Sequence, residues 1–156
     1  MTAAAPAVAP IRLDKLPFFE GFDPAFLAAI APFASERSYD AGVGIVREGD
    51  IADAFYLILS GKVALEVVLH DRPRRTIQTI GPNEVLGWSW LIPPSQWRLD
   101  ARTVKATRLV SIDAARLRTS LNENPVQGYK FLLRLLPVIA ERLENTRVQL
   151  LDIHAP

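Results

Sequence analysis

Hydrophobic and polar residues alternate in short runs through the centre of the chain, and glycines separate the runs. An alternation with a period of two is typical of half-buried β-strands. The runs "AFYLILS" and "KVALEVVL" flank Ser60 and Gly61, a pair that predicts a hairpin turn. Many short strands at regular spacing indicate a sandwich, a barrel or a jelly roll.

Helical spacing replaces this alternation at both ends of the β-rich region. Asp23 and Pro24 predict the cap and first turn of a short N-terminal helix. Asp113 predicts the cap of a second short helix, and a long helical region follows. Pro137 interrupts that region, so one kinked helix and two separate helices both remain open.

Apolar positions in the long helical region follow alternating steps of three and four, which is the seam of a coiled coil. This seam either packs against the β-rich core or pairs with a second copy of the chain. Because few residues remain to cover its last two heptads, the pattern favours a homodimer through the C-terminal helix. The predicted seam consists of Leu136, Ile139, Leu143, Thr146 and Leu150.

Composition indicates one globular domain. The chain has 156 residues, of which 49% are hydrophobic, and a formal net charge of +1. It has no cysteine and no long apolar run, so we expect a cytoplasmic protein with no membrane span. We expect a disordered tail over residues 1–12 and a domain over 13–156, with a β-roll at about 36–112 and C-terminal helices at about 113–152.

The sequence offers no catalytic constellation. Its two histidines, His70 and His154, fall in a strand connection and in the tail, so they cannot form a metal triad. No phosphate-binding P-loop or Ser-His-Asp arrangement is found. We therefore expect no enzyme activity, no bound metal and no required cofactor.

Four features together resemble the cyclic nucleotide-binding domain, a regulatory module of catabolite activator proteins, kinases and channels. These are Gly42, the turn "REGD" at 47–50, "FYLILSGKV" at 55–63, and Gly87. The resemblance covers roughly residues 17–150. It implies a mainly β fold, a double-stranded β-helix or jelly roll, with a short N-terminal helix and a long C-terminal helix.

The resemblance also implies a phosphate cassette, in which a glycine precedes a glutamate for the ribose and, after a spacer, an arginine for the phosphate. Here "LGWSWL" places Gly87 correctly, but Trp88 stands where the glutamate is expected. Alignment of "TVKA" on the next strand puts Asp100 at the arginine position. A carboxylate there would repel the phosphate by about 4 kcal/mol at an effective dielectric near 20, so we expect weak or absent binding of cyclic AMP.

Two arginines bracket this aspartate at alternating strand positions, so all three side chains are expected on one face. Either arginine satisfies Asp100 and leaves the other to meet an anion, or the three form a surface ion-pair cluster. The candidate ligand-binding residues are Gly87, Trp88, Ser89, Arg98, Asp100, Ala101, Arg102 and Thr103.

Aromatic residues add a second open question. Trp88, Trp90 and Trp97 either fill the core and plug the cassette or stack on a ligand. Thr146 matches the position of a base-contacting threonine in catabolite activator proteins, and it is equally a polar residue of the helical seam.

Two functions follow as expectations. In the first, the chain is a stand-alone sensor that binds a cyclic nucleotide, such as cyclic AMP, or another small anion, and acts on a separate effector protein through its long helix. In the second, it is a ligand-free module for dimerisation and protein interaction. No helix-turn-helix and no basic stripe are seen, so we expect no DNA binding.

Overall fold

The alternating runs form seven antiparallel strands in the residues that a computed structural model describes, 11–154. In chain order they are β1 (Ala34–Tyr39), β2 (Gly44–Val46), β3 (Ala54–Ser60), β4 (Val63–Val67), β5 (Arg75–Ile80), β6 (Asp100–Thr103) and β7 (Thr107–Asp113). They make two sheets, in the orders β1-β7-β3 and β2-β6-β4-β5. The prediction of a mainly β jelly roll is confirmed.

The chain crosses between the two sheets at Gly61. β3 pairs with β7, whereas β4 pairs with β5 and β6, so the predicted hairpin at Ser60 and Gly61 is wrong. The chain does turn at Ser60 and Gly61, but β3 and β4 on either side of this turn belong to different sheets. Gly61 has a φ of +102°, and a Cβ on it would lie 2.5 Å from the carbonyl oxygen of Ala106. Ala106 belongs to the second corner, between β6 and β7, so both crossings pack backbone against backbone.

Helices flank the sheets as the sequence predicts. They are α1 (Pro24–Ile30), α2 (Ala114–Glu123) and α3 (Pro125–His154). The Asp23 carboxylate accepts a hydrogen bond from the N–H of Ala25 at 3.1 Å, and Asp113 accepts one from Arg116 at 2.9 Å. Both predicted caps are therefore present. Pro137 lies inside α3, which is one continuous helix.

The predicted N-terminal tail falls mostly outside the described residues. Residues 1–10 are not described, so the tail remains a prediction there. Ile11, which the prediction places in the tail, is half-buried against the hydrophobic core.

An aromatic cluster joins the N-terminal segment to β3 and α3. Six pairs of its rings have centroids 5.1 to 5.6 Å apart, mostly edge to face, which is a favourable geometry for aromatic rings. These buried rings fix where α3 begins on the body of the domain. The cluster consists of Phe18, Phe19, Phe55, Trp90 and Phe131.

Arg134 fastens the same part of α3 by hydrogen bonds. Its guanidinium donates to the carbonyl oxygens of Pro17, Phe18 and Glu20 at 3.2, 2.5 and 2.7 Å. The guanidinium carbon also lies 5.5 Å from the centroid of the Phe22 ring. The N-terminal half of α3 is thus held to the domain, and its C-terminal half extends beside the second sheet.

The corner at Gly61 leads to a stability prediction. Gly61→Ala should destabilise the protein by about 2–4 kcal/mol, because a left-handed φ and a steric clash are both imposed. Gly42 has a φ of +80°, and no atom lies within 4 Å of the position that a Cβ would occupy, so Gly42→Ala should cost only about 1–2 kcal/mol. Gly44→Ala, in β2, carries neither penalty and should be near neutral. Urea unfolding of the three variants tests this order, and equal effects would contradict it.

Candidate functional site

A cavity of about 380 Å³ lies between the second sheet, the loop from β5 to β6, and the C-terminal half of α3. This volume falls in the range of small-molecule sites. Leu65 of β4 and Ile77 of β5 form its floor, and Ile139 and Leu143 of α3 form its apolar side. The loop between β5 and β6 contains the segment that the sequence analysis identified as a cassette.

Gly87 lies against a buried tryptophan at the cavity wall. A Cβ on Gly87 would be 3.0 Å from Cζ3 of Trp97, so a larger residue would push into the ring. Trp97 is 2% exposed and stacks on Tyr56 with ring centroids 6.1 Å apart. Burial, with the nearby Tyr39 and Asp53 as lesser causes, raises the pKa of Tyr56 to about 12. The tyrosine therefore remains a neutral partner in this stack.

The "REGD" turn holds the backbone of this tryptophan. The N–H of Trp97 donates to the carbonyl oxygen of Asp50 at 2.9 Å, and the N–H of Gly49 donates to that of Trp97 at 2.8 Å. The turn at 47–50, which the sequence assigned to architecture, thus positions a residue of the cavity wall.

The three tryptophans have three different surroundings. Trp90 is fully buried and packs against Phe55 and Phe131, so it belongs to the core. Trp97 is buried behind Gly87, as a residue that fills part of the cassette. Trp88 is half-buried and lines the cavity. Each tryptophan thus matches a different alternative: Trp90 is core and Trp97 fills part of the cassette. Stacking of a ligand on Trp88 stays a prediction.

Arg142 of α3 reaches across the cavity to the cassette. Its Nη1 donates to the carbonyl oxygen of Leu86 at 2.6 Å, and its Nη2 donates to that of Val85. The guanidinium carbon lies 5.2 Å from the centroid of the Trp88 ring. Burial lowers the pKa of Arg142 to about 10, which leaves the side chain charged at neutral pH. This arginine connects the long helix to the cassette loop.

Several predicted site residues do line the cavity. Gly87, Trp88, Ser89 and Arg98 come from the cassette loop, and Thr146 comes from α3. Arg98 is exposed, and no carboxylate in residues 11–154 forms an ion pair with it. The hydroxyl of Thr146 donates to the carbonyl oxygen of Arg142 within the helix at 2.9 Å.

Asp100 does not face the cavity, so its predicted place opposite a phosphate is wrong. Its carboxylate accepts a hydrogen bond from the N–H of Glu48 at 2.8 Å and lies 3.2 Å from Nη1 of Arg74. β6 begins at Asp100, and its side chain points to the outer face of the sheet. The expected repulsion of a phosphate by this carboxylate therefore does not arise.

The other predicted residues of β6 are also outside the cavity. Ala101 is in the core, with 1% of its surface exposed. Thr103 is buried, and its hydroxyl donates to the carbonyl oxygen of Asp40 at 2.6 Å. Arg102 lies on the outer face with Asp100, whereas Arg98 precedes the strand and turns to the cavity. The predicted alternation of all three side chains on one face fails because the strand starts two residues after Arg98.

Glu66 of β4 joins Asp100 in a cluster of ions on the outer face of the second sheet. The two carboxylates are direct neighbours across the β4-β6 pair. Arg102 donates to Glu66 at 2.6 Å, and Arg74 bridges Glu66 and Asp100 at 3.3 and 3.2 Å. Burial raises the pKa of Glu66, but hydrogen bonds from Arg102 and Arg74 outweigh it and hold this pKa below its ordinary value. The cluster is therefore structural.

Sequence reasoning missed Arg142, Arg74 and Glu66. A signal for Arg142 was present, since it precedes Thr146 by four residues and residues at that spacing share a helix face. Glu66 and Arg74 gave no comparable signal, because their partners come from strands whose register the sequence does not show.

No group of three or more histidine, aspartate or glutamate side chains in the described residues is arranged to hold a metal ion. Within the same residues, no helix has the length and apolar character needed to cross a membrane.

Comparisons with known proteins agree on one family. The family model for the cyclic nucleotide-binding domain matches residues 36–124. The chain is 28% identical to a CRP-like cAMP-activated global transcriptional regulator of Mycobacterium tuberculosis, over 90% of this chain and 61% of the relative. It is also 28% identical to the cyclic AMP receptor protein of Thermus thermophilus, over 81% of this chain and 53% of the relative. The chain thus spans less than two thirds of these relatives.

Solved structures give the same result. A putative cyclic nucleotide-binding protein from Geobacter metallireducens superposes with a TM-score of 0.75 at 30% identity, covering 87% of this chain and 98% of that one. The Thermus thermophilus catabolite activator protein superposes with a TM-score of 0.68 at 26% identity, covering 86% of this chain and 61% of that one.

The ion cluster leads to a prediction about pH. Because the pKa of Glu66 is depressed in the folded state, its carboxylate stabilises the fold above the ordinary value of about 4.3, and that contribution is lost as the pH falls through the folded value. Glu66→Gln should destabilise the protein by about 1–3 kcal/mol at pH 7. The difference from the unmodified chain should shrink below about pH 4. Urea unfolding between pH 3 and 7 measures this, and a difference that is constant with pH would contradict it.

Proposed function

Because this chain belongs to the cyclic nucleotide-binding domain family, we propose that it is a regulatory sensor whose cavity binds a cyclic nucleotide or a similar planar anion. Ligand binding would change the position of α3, and α3 would pass this change to a separate effector protein. The proposed ligand classes are cyclic AMP and related nucleotides, and the proposed setting is the cytoplasm.

The charge of the cavity carries this proposal. Arg98 and Arg142 are the charged residues of its lining, and no carboxylate is among the described residues that line it. Two cations with no described carboxylate at ion-pair distance favour an anionic ligand, because attraction is strong where water is partly excluded. Asp100 lies outside the cavity, so the repulsion of an anionic ligand that the sequence suggested is absent.

The remaining lining suits a flat, partly apolar ligand. Trp88 presents an aromatic face at the cavity, and aromatic faces stack on nucleobases. Thr146 adds a hydroxyl on α3, at the position where the family resemblance suggested a base contact. These groups support a ligand with a planar part near α3 and an anionic part near Gly87.

The second half of α3 is placed to respond to a ligand. Arg142 bonds to the cassette loop, and Nε2 of Gln149 donates to the carbonyl oxygen of Ile77 in β5 at 2.6 Å. Both contacts lie at the cavity or next to it. A ligand that changes either one would shift the balance between positions of this half-helix, which is the requirement for a sensor.

Trp97 favours a second candidate function. Its ring is buried behind Gly87 and fills part of the space of the cassette. In this alternative the chain binds no small molecule and acts as a module for dimerisation or protein interaction. The two candidates differ in whether a nucleotide stabilises the fold.

A homodimer through α3 belongs to the proposal. Leu136 is 58% exposed and Leu143 53%, so both offer apolar surface to a second copy. Ile139 of the predicted seam is half-buried against the core instead. Exposed leucines at seam spacing on one helix favour pairing with the same helix of a partner.

Ligand binding is tested by thermal unfolding during titration with cyclic AMP and cyclic GMP. A ligand of the native state adds about 2.7 kcal/mol of stability at 100 times its Kd, so the melting temperature should rise. Asn145→Trp fills the cavity from α3 and should abolish the rise. Glu144→Trp, one residue away and outside the lining, is the matched control and should retain it. If no nucleotide changes the melting temperature, the ligand-free alternative holds.

The dimer is tested by light scattering of the purified chain. We expect a dimer, and Leu136→Asp should convert it to a monomer, because a buried charge would face the partner helix. Leu151→Asp places the same charge on an exposed residue outside the predicted seam and should leave the dimer intact. A monomeric unmodified chain, or equal effects of the two substitutions, would contradict the seam.

A further inference from the structure

The guanidinium of Arg142 lies beside the cassette glycine. Its Nη1 is 3.9 Å from the position that a Cβ of Gly87 would occupy. The backbone around a cassette glycine is where close approach of a ligand is least obstructed by side chains. Of the two cavity arginines, Arg142 is half-buried and Arg98 is exposed to water. The charge of Arg142 is therefore less screened by solvent than that of Arg98.

The bonding of this guanidinium is incomplete. Nε of Arg142 is buried and has no hydrogen-bond acceptor in the described part of the chain. No described carboxylate lies within ion-pair distance of the side chain, and its nitrogens Nη1 and Nη2 donate to the carbonyl oxygens of Leu86 and Val85. The hydrogen-bond acceptors of Arg142 are neutral, and Glu84 and Glu141 attract its charge only from beyond ion-pair distance, so an anion would complete its bonding.

We propose that Arg142 is the cation that binds the anionic group of the ligand, in place of a strand arginine, and that it does so by exchanging backbone carbonyls for the anion. This inference rests on the proposed function and names the residue that recognises the charge. The anion lies between Gly87 and the guanidinium, and the planar part of the ligand lies toward Trp88.

The exchange also assigns a route from the ligand to the helix. Without ligand, Arg142 joins α3 directly to the cassette at Val85 and Leu86. With ligand, the same side chain joins α3 to the cassette through the anion. The position of the C-terminal half of α3 thus depends on which acceptor Arg142 holds.

The chain provides a matched control in Arg134. This residue lies two turns earlier on α3, donates to three backbone carbonyls where Arg142 donates to two, and lies over an aromatic ring as Arg142 does. It is not part of the cavity lining. Arg134→Gln therefore removes similar helix-to-body contacts without removing a charge from the cavity.

The experiment is calorimetric titration of the unmodified chain, Arg142→Gln, Arg98→Gln and Arg134→Gln with cyclic AMP and with adenosine, which lacks the phosphate. Circular dichroism first confirms that each variant is folded. Arg142→Gln should weaken cyclic AMP binding by about 10- to 100-fold and should leave adenosine binding little changed. Arg134→Gln should change both affinities by less than about threefold, whereas Arg98→Gln, which removes the more solvent-screened cation of the lining, should weaken cyclic AMP binding less than Arg142→Gln does.

The other outcomes separate this inference from the proposed function. If cyclic AMP binds the unmodified chain and Arg142→Gln equally, or if Arg98→Gln alone causes the loss, Arg142 is not the anion-binding residue and the proposed function stands. If the unmodified chain binds neither cyclic AMP nor adenosine, the proposed function fails, and inorganic phosphate decides the inference. A saturable change in tryptophan fluorescence that Arg142→Gln abolishes and Arg134→Gln retains supports it, and no change overturns it.

Discussion

The contact between Arg142 and the cassette loop determines how the parts of this protein relate to one another. The cavity exists because α3 lies over the second sheet, and Arg142 holds α3 there through the carbonyl oxygens of Val85 and Leu86. The contact is strong, because the donor is charged, and it is incomplete, because Nε has no acceptor in the described residues. Because the acceptors of this buried guanidinium are neutral carbonyl oxygens, an anionic acceptor can replace them.

Architecture and site are not separate in this molecule. Gly49 and Asp50 belong to a turn between β2 and β3, and their backbone groups fix Trp97 behind Gly87. The cavity floor comes from the inner faces of β4 and β5, whereas the outer face of the same sheet holds Glu66 and its arginines. Strand alternation thus places the Glu66 carboxylate on the face of the sheet opposite the cavity.

Sequence alone predicted the elements of the fold well where local chemistry determines them. Asp23 and Asp113 cap helices, and the β-rich region lies between them. The prediction failed where long-range register decides. Gly61 proved to be a corner between sheets, because turn residues do not show which strands will pair.

The site was predicted only in part for the same reason. Gly87, Trp88, Ser89 and Thr146 line the cavity as expected. Asp100 was misplaced, because the loop that contains Pro93 and Pro94 has an irregular path and the alignment fixed no register before the strand. The ion-pair partners of Glu66 and Asp100 are set by tertiary packing, which the spacing of residues along the chain does not show.

Pro137 gives α3 a further mechanical property. Proline has no backbone N–H, so the hydrogen bond that would reach the carbonyl of Leu133 is missing from the ladder. This gap lies between Arg134, which ties the first half of the helix to the N-terminal segment, and Arg142, which ties the second half to the cassette. A helix bends most easily where a ladder hydrogen bond is missing, so this turn is where the C-terminal half of α3 can change its angle while the aromatic cluster keeps its packing.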